Sequence, residues 1–96
     1  MEFEWDEAKA VTNLVKHGVS FTEAATAFTD SLAAIFTDPQ HSEDEKREIL
    51  VGYSEYSQLL IVSDTQRDDA VRIISARKAG RGERQRHTNH TNRGNP

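Results

Sequence analysis

The 96-residue chain has no cysteine, only two prolines and one tryptophan, and no apolar run near the roughly 18–20 residues of a membrane span. Without thiols it has no disulfide framework and no thiolate metal site, which suits a reducing compartment. Its first residues, Met1 to Asp6, are acidic and offer no apolar segment for export, so a cytoplasmic protein that does not enter a membrane is expected. The length fits one small domain with a modest core and room for one site. Cations are also scarce over most of the chain. Residues 1–70 carry five Lys or Arg against fifteen Asp or Glu, whereas residues 71–96 carry seven against one. The overall charge of −4 therefore hides a −10 body and a +6 end. Such an end suits a polyanionic ligand; the plainer reading is a solvated basic terminus that pairs with the chain's own acidic half.

Local signals predict an α+β fold, with two N-terminal helices packed on an antiparallel meander and a short basic C-terminal helix. Asp6 can cap a helix through His17, in which Ala8, Val11, Leu14 and Val15 recur at helical spacing and Gly18 provides a left-handed stop. A second helix follows Ser20, capped by Ser20 or Thr22, with Phe21, Ala24, Ala25 and Phe28 on one face. Strands are expected over 32–37, 47–54, 58–65 and 70–78, with a charged loop over 41–46 and a turn at Arg67-Asp68-Asp69. A frayed helix is expected over 81–87, because Gly80 and Gly82 each cost about 1 kcal/mol in a helix interior. Residues 1–87 then form the domain, and 88–96, which lack apolar residues, a disordered polar tail.

Metal chemistry finds little support. His17, His41, His87 and His90 are scattered, with only the last two at helical spacing, and the reading calls for no metal and no cofactor. Ser75 has no nucleophile motif around it, and no phosphate-binding glycine loop occurs. What remains is a set of guanidinium groups: Arg67, Arg72, Arg77, Arg81 and Arg84, with Lys78. Strict alternation along 70–78 places Arg72 and Arg77 on opposite faces, leaving Arg77 to join Arg81. Metal-free RNA cleavage requires deprotonation of a 2′-hydroxyl, stabilisation of a pentavalent phosphorane and protonation of the leaving 5′-oxygen. Arginine serves the second need and, with a pKa above about 12, not the first. His17, at a helix end, is the candidate acid or base; equally, it simply completes the helix C-terminus.

Two stretches, Asn13-Leu14-Val15-Lys16-His17-Gly18-Val19-Ser20-Phe21 and Arg72-Ile73-Ile74-Ser75-Ala76-Arg77-Lys78-Ala79, resemble the BrnT-type toxins, and the similarity extends over residues 2–87. The resemblance implies a RelE-like ribonuclease fold, toxicity through RNA cleavage that inhibits translation and growth, and neutralisation by a BrnA-type antitoxin. That antitoxin's ribbon-helix-helix region would bind promoter DNA, which the toxin reaches only through it. Position by position, Lys16 and His17 fall in the Lys-His-Gly motif, Arg72 and Arg77 in the Arg-Ile-Ile-Ser-Ala-Arg motif, and Arg67 just before the last strand. With Lys78, Arg81 and Arg84 as RNA contacts, these form the expected site.

Asp64, Asp68, Gly80, Gly82 and His87 depart from the family pattern. Asp64 beside the arginines would weaken their field, and the two glycines would loosen the last helix. These departures motivate the alternative of a non-catalytic RNA- or protein-binding module. A direct DNA-binding repressor is disfavoured by the absence of a helix-turn-helix pattern and by the acidic body.

Overall fold

A computed structural model describes residues 1–38 and 46–91. Most of the expected loop from His41, and the last five residues of the expected tail, lie outside them.

The chain begins with a short strand, β1 (Glu2–Glu4), and a helix, α1 (Glu7–His17). Asp6 caps α1 by accepting hydrogen bonds from the backbone N–H of Ala8 (2.8 Å) and Lys9 (3.2 Å). Gly18 ends it at φ +68°, donating its N–H to the Leu14 carbonyl at 2.8 Å. The next helix, α2 (Phe21–Thr26), is capped by Ser20 rather than Thr22: the Ser20 hydroxyl accepts from Glu23 N–H at 3.0 Å. A 3₁₀ turn, Ala27–Thr29, leads into β2 (Ala34–Thr37), β3 (Arg47–Tyr53), β4 (Leu59–Arg67) and β5 (Ala70–Lys78), and the last helix is α3 (Arg81–Thr91).

The five strands form one sheet in the order β1-β5-β4-β3-β2. β3, β4 and β5 make the expected antiparallel meander, and β2 adds to it antiparallel to β3. β1 was not expected; it pairs in parallel with β5, Glu4 opposite Arg72, so the sheet is mixed. At the β4–β5 turn Asp68 adopts φ +52°, a left-handed conformation that glycine favours and that an aspartate tolerates.

α1 and α2 cover one face of the sheet. The core there comprises Val19, Phe21 and Ala24 from the helical layer, and Leu50, Leu60, Val62, Ile73 and Ala76 from the strands. Burying each of the large side chains contributes about 1.5–3 kcal/mol. Gly52 lets the 3₁₀ turn approach: a Cβ there would lie 3.0 Å from both the Ala27 carbonyl oxygen and the Ala33 Cβ.

The apolar spacing of α1 misleads. Val11, Leu14 and Val15 are 63%, 51% and 81% exposed, and the only buried residue of α1 is Asn13. Its side-chain amide donates to the carbonyls of Val19 (2.9 Å) and Ala76 (2.8 Å) and accepts from Ala76 N–H (3.1 Å). Beyond the end of β1, Asn13 thus takes the place of a neighbouring strand on the exposed side of β5. A buried carboxylate performs a similar service at the β3–β4 hairpin, where Glu23 Oε2 accepts from the Ser54 hydroxyl (2.7 Å) and the Gln58 amide (2.8 Å).

α3 runs to Thr91, past the expected end at His87. Gly80 precedes the helix at its N-cap, where glycine costs little, and Glu83 reaches back to accept its N–H at 2.7 Å. Only Gly82 carries the interior penalty.

Candidate functional site

The arrangement of the arginines depends on one irregularity. Ser63 of β4 pairs with Ser75, but Asp64 pairs with Ile73, so Ile74 is an extra residue on β5. The bulge reverses the alternation. Val71 and Ile73 before it, and Ala76 after it, are all buried on the side of α1 and α2. Arg72 before it and Arg77 after it consequently share the other face, correcting the expectation that they oppose each other. Arg67 belongs to the same face, and so does Arg47: Thr65 pairs with both Arg47 and Arg72. Arg47, read in the sequence only as the start of a strand, had no motif to mark it.

Both strand arginines hold a carboxylate. Arg72 donates to Glu4 Oε2 at 2.8 Å. Arg77 forms a two-pronged pair with Glu83, at 2.9 Å to Oε1 and 2.8 Å to Oε2. Its hydrogen bonds to Glu83 raise the Arg77 pKa further above its usual value. Bonds from Arg77 and from the Gly80 backbone hold the Glu83 carboxyl down at about 2, so this pair persists at every physiological pH. The pair with Glu4 joins the basic end to the acidic body, as the plainer reading of the charge anticipated, whereas Glu83 belongs to the basic end itself. An incoming phosphate competes with Glu4 and Glu83.

α3 lies over the arginine face and encloses a cleft of about 430 Å³. Phe36, Ile49, Val51 and Ile61 contribute its apolar wall; Arg77, Arg86, His87 and His90 line it with polar groups. His87 is 6% exposed, its ring edge-on to Tyr53 with centroids 5.8 Å apart. Among the described residues its buried Nε2 has no hydrogen-bond partner, an arrangement that costs about 1–3 kcal/mol unless a ligand or water satisfies it. The sequence offered two signals for this residue, its helical spacing from His90 and its departure from the family pattern.

Lys16 and His17 lie elsewhere. With Lys9, Thr12, Ile74 and Ser75 they line a second, more open cleft of about 360 Å³ where α1 meets the bulge. The expected site is thus divided between two clefts. Lys78, Arg81 and Arg84 are exposed near the junction of β5 and α3; Arg84 donates to the Ala79 carbonyl at 3.1 Å. Lys78 pairs with Leu60, which places it on the opposite face from Arg77.

Asp64 does not join the arginines. It faces the side of α1 and α2, pairs across the sheet with Glu48 and Ile73, and is 2% exposed. Burial, reinforced by the negative charge of Glu48, raises its carboxyl pKa from 3.8 to about 7. The folded protein therefore holds this proton more tightly than the unfolded chain, and stability falls as pH rises from about 4 to about 7, then levels off. Asp64→Asn is expected to remove that slope and to raise stability above pH 7 by on the order of 2–4 kcal/mol. Urea unfolding at pH 5 and pH 8 measures both effects.

Among the described residues no cluster of His, Cys, Asp or Glu is arranged to hold a metal ion, and no helix is long and apolar enough to cross a membrane. Comparison with known proteins agrees with the sheet and its motifs. A family model described as the ribonuclease toxin BrnT of type II toxin-antitoxin systems matches residues 5–83. The crystal structure of the Brucella abortus ribonuclease toxin BrnT superimposes with a TM-score of 0.66 at 26% identity, covering 84% of this chain and 99% of that one. No curated protein matches the chain.

Proposed function

Because this chain belongs to the BrnT family of ribonuclease toxins from type II toxin-antitoxin systems, we propose that it cleaves RNA without a metal ion, on the sheet face beneath α3, and so inhibits translation and growth. The observation that carries this reading is the bulge at Ile74, which gathers Arg67, Arg72 and Arg77 on one face. Guanidinium groups fixed on strands stabilise a phosphorane with little reorganisation, the largest contribution available to a site of this composition. RNA phosphate displaces Glu83 from Arg77, so the ion pair holds the guanidinium in place until substrate arrives.

Proton transfer falls to His87, which shares a cleft with Arg77, rather than to His17. Its imidazole takes the 2′-hydroxyl proton as the 2′-oxygen attacks phosphorus. The 5′-oxygen leaves as it takes a proton from solvent water, the hydroxide so formed is neutralised by the imidazolium, and the products are a 2′,3′-cyclic phosphate and a 5′-hydroxyl. Lys16 and His17, beside Ser75 on the flank of β5, bind RNA phosphate further along the strand; Lys78, Arg81 and Arg84 add charge around the junction with α3.

A type II toxin implies an antitoxin, and we infer one of BrnA type, whose ribbon-helix-helix region carries the complex to promoter DNA. The exposed Val11, Leu14 and Val15 on α1 and Ile35 on the edge strand β2 give it apolar surface to cover.

A second reading rests on the two ion pairs: with Arg72 and Arg77 neutralised by Glu4 and Glu83, the face serves as a binding surface without turnover. Incubating the purified chain with RNA in excess EDTA and identifying the fragment ends by mass spectrometry separates the two. Cyclic-phosphate ends are expected. A gel shift with intact RNA would establish the binding module instead.

A further inference from the structure

The cleft beneath α3 contains more apolar surface than a phosphate needs. Phosphate contacts are supplied by the arginines, yet the wall opposite α3 consists of Phe36, Ile49, Val51 and Ile61. Phe36 is exposed although it is one of only four phenylalanines in the chain. The register explains the grouping. Phe36 pairs with Ile49, Ala34 with Val51 and Val51 with Ile61, so these side chains form a patch across three strands, and Ile61 pairs in turn with Arg77. From α3, positions 83, 86, 87 and 90 recur at helical spacing and bring Arg86, His87 and His90 to the same cleft.

We infer that this cleft is a nucleobase subsite, in which the base adjoining the scissile phosphate lies against Phe36 and the aliphatic patch. This inference rests on the ribonuclease reading above. Its volume of about 430 Å³ falls within the range of about 300–1,000 Å³ that accommodates small ligands. An apolar floor with a few convergent polar groups suits a planar heterocycle: its faces pack on the aromatic and aliphatic side chains and its edge reaches hydrogen-bonding groups. Charge distinguishes a nucleotide from an apolar side chain of a partner protein. Among the described residues the rim carries Arg77, Arg86 and two imidazoles against the one carboxylate of Glu83, which complements a base attached to phosphate. The buried His87 Nε2 has no hydrogen-bond partner among the described residues, and a base edge supplies one. The cleft at Lys16 and His17 has, among the described residues, no phenylalanine, tyrosine or tryptophan and Ile74 as its one large aliphatic residue, so it lacks the broad apolar floor of the first.

The test uses two small probes, a nucleoside 5′-monophosphate and ribose 5-phosphate, which carry the phosphate on the same oxygen and differ in the base. Titration followed by NMR is expected to shift the Phe36 ring and His90 resonances with the nucleotide only. Phe36→Ala, at an exposed position that should not disturb folding, is expected to weaken nucleotide binding about tenfold and to leave ribose phosphate binding unchanged. With an RNA substrate the same variant should raise KM, change the preferred base at the cut and leave kcat nearly intact. Equal binding of the two probes, or nucleotide affinity unchanged in Phe36→Ala, would overturn the subsite. Phe36 and His90 signals that respond to an antitoxin peptide but to no nucleotide would overturn it as well. The two proposals fail separately. Nucleotide binding at Phe36 without RNA cleavage sinks the ribonuclease reading and keeps the subsite, whereas cleavage without any base effect does the reverse.

Discussion

Arg77→Ala is expected to lower RNA cleavage by about a hundredfold or more, the usual loss when one preorganised donor to a developing oxyanion is removed. The fold should survive. Arg77 is exposed, and its pair with Glu83 lies near the protein surface, where such pairs contribute about 0–1 kcal/mol. Arg77→Lys restores the charge without the two-pronged geometry and should fall between the wild type and alanine. Single-turnover cleavage rates, with circular dichroism to confirm folding, read this directly. Wild-type rates in folded Arg77→Ala would remove Arg77 from the reaction.

The largest effect on stability is expected at Asn13. Asn13→Ala leaves the Ala76 N–H and the carbonyls of Ala76 and Val19 without their partner in the interior. At about 1–3 kcal/mol for each buried group left unsatisfied, and with some water entering, a loss of about 3 kcal/mol results. For a domain of this size that lowers Tm by roughly 10–20 °C. Asn13→Asp should be no milder, since a carboxylate cannot donate to the two carbonyls. By contrast, Val15→Ala, at an exposed position on the same helix, should change Tm by less than about 3 °C. Thermal unfolding of the three variants side by side decides whether α1 is docked through its one buried amide or through the apolar residues that its spacing suggests. A larger loss in Val15→Ala than in Asn13→Ala would reverse that assignment.

The contrast between Asn13 and Val15 shows where the sequence was legible. Helix ends were, because Asp6, Gly18 and Ser20 act through bonds to backbone a few residues away. The meander was too, since runs such as Leu59-Leu60-Ile61-Val62 and the short links between strands are local signals. Partnerships across the fold were not. Nothing near Asn13 announces that its amide pairs with Ala76, sixty-three positions away. β1 is three residues long and is a strand only because β5 lies beside it.

The site was legible as composition and not as geometry. The basic end and the arginines of the last strand stood out, but their faces followed from strict alternation, which one extra residue at Ile74 reversed. Asp64 appeared to threaten the arginines because it lies near them in sequence; its register puts the sheet between them. The two glycines looked like interior defects of α3 until its first turn was fixed, and then Gly80 became its cap. His87 entered only through its helical spacing from His90 and as a departure, because burial against Tyr53 is a product of the tertiary fold.

The most direct test of the arginine face is an NMR titration with a short RNA carrying 2′-O-methyl groups, which binds and cannot be cleaved. The guanidinium Nε–H signals of Arg72 and Arg77 and the His87 ring signals should shift together, in EDTA, with an affinity that falls as salt rises. Shifts confined to Lys16, His17 and Ser75, with Arg72, Arg77 and His87 unmoved, would place RNA in the other cleft and contradict the site described above.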